Sequence, residues 1–168
     1  MSAQHQSTPH RKHVEVVRLA SQEDARQITS IINLAFSVAE GFFVDEDRIT
    51  LAGVQALFDS GTFIVMENNH QVAGCVYLEP RGDRAYLGLL SVDPTCQGSG
   101  YGSVLMEAAE EHCRVQSMQC IDINVVNLRK ELPAFYRKRG YIETGASAFP
   151  SDIKTKLPCY FIEMSKQL

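Results

Sequence analysis

The chain has 168 residues, is 45% hydrophobic and 21% charged, and carries a formal net charge of −4 at pH 7. This length and composition predict a single soluble domain whose core needs no disulfide or metal to hold it. The weak negative charge argues against broad binding of nucleic acid. The sequence contains no run of 18 uncharged apolar residues, so no membrane span is predicted.

The N-terminal segment is polar and basic and lacks the apolar stretch of a secretory signal. We therefore predict a disordered tail over residues 1–13, a single domain over residues 14–168, and a cytoplasmic protein, with a nuclear location left open. His5, His10 and His13 allow a metal site in the tail. A solvated tail is the simpler interpretation, and we predict no bound metal.

The five cysteines are scattered along the chain and lack the C-x-x-C spacing of a zinc or redox site. This pattern predicts free thiols. A nucleophilic Cys96 is the alternative, although the sequence shows no partner that would activate it.

The first part of the domain is predicted to hold a strand and two helices. Residues 14–20 alternate in the manner of an edge strand. Ser21 is typical of a helix N-cap, and apolar residues at steps of three and four predict a helix that ends near Val38. The acidic residues 45–47 predict the start of a second helix, which ends near Phe58, because negative charge is favoured at a helix N-terminus.

A β-hairpin and a buried strand are predicted next. Residues 63–68 and 72–80 are rich in β-branched and aromatic side chains and flank a turn at residues 68–70. A second turn follows at residues 81–83. Residues 85–92 are almost continuously apolar, which is typical of a central strand buried on both faces.

The rest of the chain is predicted to hold two helices and three strands. These are a helix over residues 101–116, a buried strand over 120–126, a short helix over 132–139 stopped by Gly140, and closing strands over 141–144 and 159–164. The order of elements predicts an α/β fold with a mixed sheet of about six to seven strands flanked by helices. Spacing alone does not predict the order of strands in the sheet.

A glycine-rich segment joins the predicted central strand to the helix that follows it. It consists of Gln97, Gly98, Ser99, Gly100, Tyr101 and Gly102. Glycines let the main chain approach a ligand closely, and the unpaired N–H groups of a first helical turn favour a phosphate or pyrophosphate. The segment therefore predicts a site for a phosphate-bearing small molecule.

Other interpretations of this segment compete with that site. A dinucleotide-binding turn would use Gly98 and Gly100 with Asp122 on a ribose, but the third glycine comes too early and Asp122 lies near the beginning of its strand. A nucleoside-triphosphate loop would end in Gly-Lys-Ser/Thr, which this segment lacks. A tight strand-to-helix connection without a ligand stays open.

The residues around the segment resemble the acetyl-CoA motif of the GNAT acetyltransferase superfamily. Residues 89–106, LLSVDPTCQGSGYGSVLM, fit its pattern Gln/Arg-x-x-Gly-x-Gly/Ala after a strand. The defining positions are Gln97, Gly100 and Gly102. Residues 21–25 also look like the superfamily's first helix, and residues 135–141, FYRKRGY, resemble its late Tyr-x-x-x-Gly-Phe/Tyr signature. The resemblance covers nearly the whole chain and implies an N-acetyltransferase with acetyl-CoA as co-substrate.

For the donor, the resemblance implies a site made mostly of main chain. N–H groups of the glycine-rich segment would bind the pyrophosphate. The strand with Leu90, Ser91 and Val92 would pair with the pantetheine arm where it opens away from residues 121–126. A main-chain N–H near Leu90 or Ser91 would stabilise the oxyanion that forms when an amine attacks the thioester directly.

For catalysis, Tyr136 matches the superfamily's common general acid, which protonates the departing thiolate; the alternative is a tyrosine that only packs its helix onto the sheet. The candidates for the general base are Glu40, Glu79, Asp122 and a water relay. Relatives often have Asn where this chain has Arg129. Asn127 is therefore a candidate contact to pantetheine, and Arg129 a candidate for an electrostatic role near the phosphates.

For the acceptor, the resemblance implies entry beside the first two helices. Phe42, Phe43 and Tyr77 are candidate walls for an apolar acceptor, while Glu40 and residues 45–47 would attract a cationic amine. We expect a small-molecule amine, with a peptide or protein amine as the alternative, and neither nucleic acid nor membrane as partner. A homodimer, a longer acyl-CoA as donor, and a non-enzymatic CoA-binding module stay open.

Overall fold

A computed structural model describes residues 14–168, so the predicted tail and its three histidines lie outside the described residues. One seven-stranded sheet has the order β1-β2-β3-β4-β5-β7-β6. The strands are β1 (Glu15–Leu19), β2 (Thr62–Asn68), β3 (Gln71–Arg81), β4 (Arg84–Val92), β5 (Cys120–Val126), β6 (Ile142–Ala148) and β7 (Tyr160–Gln167), and the helices are α1 (Ala25–Glu40), α2 (Leu51–Ser60), α3 (Tyr101–Val115) and α4 (Leu132–Arg137). The predicted order of elements and the mixed α/β class are confirmed.

Helices cover both faces of the sheet, and the alternation of side chains along β2 shows the two layers. Phe63 and Val65 pack in a core with α1 and α2, whereas Ile64 and Met66 pack in a second core with α3 and α4. Successive side chains of a strand point to opposite faces, so one apolar strand serves both cores. The sheet therefore lies between two helical layers.

The N-terminal end of α1 is held by short polar contacts. Ser21 N–H donates to Asp24 Oδ2 at 2.8 Å, and a 3₁₀ turn over Gln22–Asp24 precedes the helix. Arg18 of β1 in turn binds both carboxylate oxygens of Asp24 at 2.8 Å. Ser21 is thus an N-cap, as predicted, but of the 3₁₀ turn that leads into α1, while Asp24 is the N-cap of α1 itself. Helix α1 runs two residues beyond its predicted end.

The start predicted for the second helix was wrong. Residues 45–47 lie in a loop, and α2 begins at Leu51 after Thr50, whose Oγ1 accepts a hydrogen bond from Gly53 N–H at 3.0 Å. A hydroxyl cap satisfies an orphan N–H directly, whereas acidic residues offer a helix only a weak charge–dipole attraction. Ile49, the residue before Thr50, is held by two hydrogen bonds: the side chain of Asn33 accepts from its N–H and donates to its C=O.

Strands β4 and β5 are the parallel pair in a sheet whose other neighbours are antiparallel. They pair only at their beginnings, from Arg84 opposite Cys120 to Tyr86 opposite Asp122. Beyond that point they separate, while β5 stays paired with β7 along its whole length. The prediction that residues 85–92 are buried on both faces was therefore wrong for Tyr86 and for residues 88–90, which are only half-buried and line the space between the strands.

Candidate functional site

The separation of β4 and β5 produces a cleft with a volume of 320 Å³. Its walls come from residues 86–90 of β4 and 123–126 of β5, and it is completed by α1, α4, the loop before α2 and the loop before β7. Among the predicted site residues, Glu40, Leu90, Arg129 and Tyr136 line this cleft. The glycine-rich segment lies outside its lining, at the end of β4.

A β-bulge interrupts β4 inside the cleft. Cys75 pairs with Ser91 and Tyr77 pairs with Gly88, so the two residues between them on β4 oppose one residue of β3. Leu89 takes a φ of 56°, in the left-handed region that non-glycine residues seldom adopt. The hydroxyl of Ser91 donates to the carbonyl of Leu89 at 2.9 Å, which satisfies that carbonyl within the bulge.

The bulge changes which main-chain groups the cleft can use. A bulge leaves its extra residue out of the ladder, and the edge of β4 that faces β5 is already unpaired beyond Tyr86. Main-chain groups around Leu90 are therefore free to meet a ligand. Sequence analysis located Leu90 and Ser91 through the family motif but did not predict the bulge, since no glycine marks the residue with positive φ.

The glycine-rich segment forms an open turn before α3. Gly98 and Gly100 have φ values of 85° and 78°, and a Cβ at either position would meet no atom within 4 Å. Before them, Asp93 Oδ1 accepts from the N–H and hydroxyl of Thr95 at 2.8 and 2.7 Å. The hydroxyl of Tyr101 donates to Glu15 of β1 at 2.8 Å and fixes the start of the helix. The main chain of the segment is thus accessible to a ligand that binds its N–H groups.

Hydrogen bonds within the segment narrow the set of free donors. The N–H of Gln97 reaches Pro94 O at 3.5 Å and that of Ser99 reaches Cys96 O at 3.3 Å, so both are partly engaged. The first N–H groups of α3, from Tyr101 to Ser103, have no partner within a helix. The donors available to an anion therefore include those at the start of α3, of which Tyr101 and Gly102 belong to the predicted segment. Cys96 lies in the turn before the segment, with its sulfur 3.9 Å from the Thr95 hydroxyl.

Tyr136 of α4 is 7% exposed, and its ring packs against other aromatic rings. It makes edge-to-face contacts with Phe135 and Tyr141, with ring centroids 5.1 and 5.6 Å apart. No hydrogen bond to its hydroxyl is found in the part of the chain that the structure describes, and the residue lines the cleft. Burial raises the pKa of Tyr136 to about 12, so the hydroxyl stays protonated near neutral pH.

The structure separates the three candidate bases. Asp122 is bound by Arg84 at 2.6 Å, and that hydrogen bond holds the pKa of Asp122 below its usual range. Glu79 lies 3.0 Å from Arg81, and neither of these acids lines the cleft. Glu40, the last residue of α1, does line it, and burial raises the pKa of its carboxyl above the usual range. Glu40 is thus the candidate base that the fold brings to the site.

Arg129, which stands where relatives often have asparagine, and Asn127, the asparagine nearby, lie at different places. Asn127 is tied to the start of β7, because its Oδ1 accepts from Tyr160 N–H at 2.8 Å. Arg129 lines the cleft, with its guanidinium 3.5 Å from Glu40 and 2.6 Å from Glu131. Its charge is therefore shared between Glu40 and Glu131, and a role for it near the phosphates stays a prediction.

The aromatic walls of the cleft differ from those predicted. Phe42 is 53% exposed, while Phe43 and Tyr77 are buried, and none of the three lines the cleft. The aromatic residues that line it besides Tyr136 are Phe36, Tyr86, Phe149 and Phe161. The sequence offered no signal for this set, because its members lie on four separate segments that only the sheet order brings together.

The described chain, residues 14–168, has neither a cluster of metal ligands nor a helix that could span a membrane. No group of three or more His, Cys, Asp or Glu side chains in this range is placed to hold a metal ion. No helix in the same range is both long and apolar enough to cross a bilayer.

Comparison with known proteins gives one family and a consistent fold. The family model for the acetyltransferase (GNAT) domain matches residues 59–143, just over half of the chain. The uncharacterized protein YxbD of Bacillus subtilis (strain 168) is 30% identical over 77 residues, 46% of this chain and 47% of that protein, so the match spans about half of the relative's length.

Solved structures match over nearly the whole described chain. The ribosomal-protein-alanine N-acetyltransferase of Brucella melitensis has a TM-score of 0.76 and 20% identity, with 91% of this chain and 99% of that chain covered. PaiA N-acetyltransferase of Thermoplasma acidophilum, in complex with coenzyme A, has a TM-score of 0.72 and 15% identity, with 92% and 99% covered. At such identities the likeness shows the fold.

Proposed function

Because the chain belongs to the GNAT acetyltransferase family, we propose that it transfers the acetyl group of acetyl-CoA to a primary amine. The observation that carries this proposal is the cleft between β4 and β5. It places unpaired main chain at the Leu89–Leu90 bulge and the free hydroxyl of Tyr136 around one space. These are the groups that direct acyl transfer needs from a protein, a hydrogen-bond donor for an oxyanion and an acid for the leaving group.

The donor site suits coenzyme A. Gly98 and Gly100 leave open space where side chains would stand. The N-terminus of α3, with its unpaired N–H groups and partial positive charge, adjoins that space. Acetyl-CoA, when bound, supplies an activated thioester. The unpaired edge of β4 from Leu90 to Val92 offers main-chain groups along which its pantetheine arm would lie.

The side chains of the cleft divide the proton transfers between them. Tyr136 holds a proton at its hydroxyl, because burial keeps its pKa high, and would give it to the departing sulfur. Glu40 would take a proton from the acceptor ammonium, since its raised pKa makes the carboxylate a better base than an exposed one. The main chain at the bulge would bind the oxyanion between these two events.

For the acceptor we propose a small molecule with a cationic amine. The cleft is small, and its rim carries Glu40 and the acidic residues 45–47, whose combined charge exceeds that of Arg48 and Arg129 on the same rim. Aromatic rings supply the remaining walls. A peptide N-terminus is the second candidate, since the structural neighbour from Brucella melitensis is a ribosomal-protein-alanine N-acetyltransferase.

Turnover over a panel of amines tests the activity. We expect purified protein to bind acetyl-CoA in calorimetry and to release coenzyme A only when an accepted amine is present. Peptides with free N-termini belong to the panel, as do propionyl-CoA and longer donors in competition. Binding without turnover across the panel would point instead to a CoA-binding module without catalysis, and absence of binding would end the transferase proposal.

Replacing Glu40 with glutamine is expected to lower kcat/KM for the amine by about 100-fold at neutral pH, the lower end of the range for a lost general base. A base acts only when ionised, so the parent's kcat/KM should rise with pH through the pKa of Glu40, and the variant should lose that rise. A pH profile of kcat/KM that begins near the usual pKa of a glutamate, at about pH 4.5, and extends to about pH 9 measures this.

The matched control for this variant is Glu131→Gln. Glu131 binds the same Arg129 but is 64% exposed, so its loss frees the arginine without removing a buried carboxylate. We expect its pH profile to follow the parent. Equal effects of the two variants would trace the loss to Arg129 and remove Glu40 from the mechanism.

A further inference from the structure

The side chain of Arg139 lies against the first turn of α3. Its Nη2 donates to the hydroxyl oxygen of Ser103, and its guanidinium carbon stands 4.6 Å from the centre of the Phe135 ring. Its Nε is buried and has no hydrogen-bond partner in the described chain. Arg139 follows Tyr136 by three residues and is part of the basic run at residues 137–139.

This place is electrostatically unfavourable for a cation. The N-terminus of a helix carries the equivalent of about half a positive charge, so a guanidinium there is repelled. Within the described chain no carboxylate lies close enough to form an ion pair with Arg139. By contrast, Arg137 two residues earlier pairs with Glu143. The positive end of α3 and the unpaired Arg139 together favour an anion at this place.

Several hydrogen-bond donors of different kinds lie together at the first turn of α3. Ser103 accepts from Arg139 through its hydroxyl oxygen, which leaves the hydroxyl hydrogen free to donate. The N–H groups of Tyr101 and Gly102 have no partner inside the helix, and the open turns at Gly98 and Gly100 give access to them. A guanidinium, a hydroxyl and main-chain amides form the donor set that phosphate oxygens favour.

We propose that Arg139 binds a phosphate group of coenzyme A, acting with Ser103 and the first turn of α3. The inference rests on the proposed function, because it assumes that the donor lies at the glycine-rich segment. The pyrophosphate is the expected contact, since it is the group assigned to the same helical turn. The 3′-phosphate carries the same chemistry and is the other source.

Arg139→Gln tests the proposal through binding alone. Calorimetry with free coenzyme A, dephospho-CoA and pantetheine should show a loss of about tenfold or more in affinity for coenzyme A, as expected for a lost charge-assisted contact, with pantetheine unaffected. Equal loss with dephospho-CoA assigns the pyrophosphate, and loss with coenzyme A alone assigns the 3′-phosphate. The loss should shrink as ionic strength rises.

Two further variants separate charge from packing. Arg139→Met keeps an unbranched stem over Phe135 without the charge and should lose the same affinity. Arg137→Gln removes a neighbouring arginine that is already paired with Glu143 and should bind as the parent does. Parent-like binding of coenzyme A by both Arg139 variants would overturn the inference, as would an equal loss with pantetheine. A parent that binds no coenzyme A would instead overturn the proposed function.

Discussion

Tyr136→Phe is expected to lower kcat by about 10²- to 10⁴-fold, the range of a lost general acid, with little change in affinity for acetyl-CoA. The substitution removes one oxygen atom. The phenyl ring keeps its contacts with Phe135 and Tyr141, and the lost hydroxyl leaves no described partner unsatisfied. The fold should therefore survive, and the effect should fall on the chemical step.

The pH dependence of the parent enzyme gives an independent check on Tyr136. Because burial raises its pKa to about 12, the hydroxyl remains a proton donor across the range in which the protein is handled. Loss of its proton should therefore produce no descending limb in kcat below about pH 10. A descending limb near neutral pH that Tyr136→Phe abolishes would contradict the protonation state assigned here.

Tyr141→Phe is the matched control. Tyr141 contacts the Tyr136 ring, but its hydroxyl lies 3.3 Å from the buried Glu110 and the residue does not line the cleft. Removing that hydroxyl should cost about 1 kcal/mol in the free energy of unfolding and leave kcat near the parent value. If the two variants reduce kcat alike, Tyr136 serves the packing of α4 and another group protonates the thiolate.

Gly100→Glu is expected to weaken acetyl-CoA binding by at least about 100-fold, since a carboxylate would occupy the space proposed for phosphate oxygens and repel them. The parent has φ 78° at this position and open space around the missing Cβ. A larger residue there can fold, at a cost of about 1–2 kcal/mol for the left-handed conformation. Calorimetric titration of parent and variant with acetyl-CoA, beside thermal unfolding of each, separates lost binding from lost stability.

Gly82→Glu controls for backbone strain and added charge. Gly82 lies in the turn between β3 and β4, has φ 68°, and likewise has no atom within 4 Å of a built Cβ. Both variants introduce the same residue at a positive φ, but only one faces the proposed phosphate site. Gly82→Glu should bind acetyl-CoA as the parent does. If Gly100→Glu binds acetyl-CoA as the parent does, the glycine-rich segment is only a connecting turn and does not bind the phosphates.

Most of the secondary structure was predictable because its signals are local. Apolar steps of three and four predicted α1 and α3, and the hairpin of β2 and β3 followed from two β-rich segments around a short turn. The error at α2 shows how such signals compete. Residues 45–47 have the charge of a helix start, but Thr50 supplies the hydrogen bond that α2 uses.

The candidate site was predictable only in part. The motif located Gly100, Leu90 and Tyr136, because glycine conformations and family patterns are properties of short segments. Residue type alone made Glu79 and Asp122 candidate bases, yet each is engaged by an arginine. Arg84 and Asp122 lie on different strands, 38 residues apart, so nothing in the spacing of the sequence reports their pairing. Glu79 and Arg81 are two residues apart on β3, where side chains share a face, so that pair could have been predicted.

The sequence by itself determined the elements, their order and the glycine-rich turn, since the interactions that specify them act between residues a few positions apart. The tertiary structure decided the cleft. Its opening depends on β4 and β5 separating after three paired positions and on β7 lying between β5 and β6. The meeting of Glu40 with Arg129, 89 residues apart, follows from that strand order, because contacts across a sheet depend on topology and register rather than on distance along the chain.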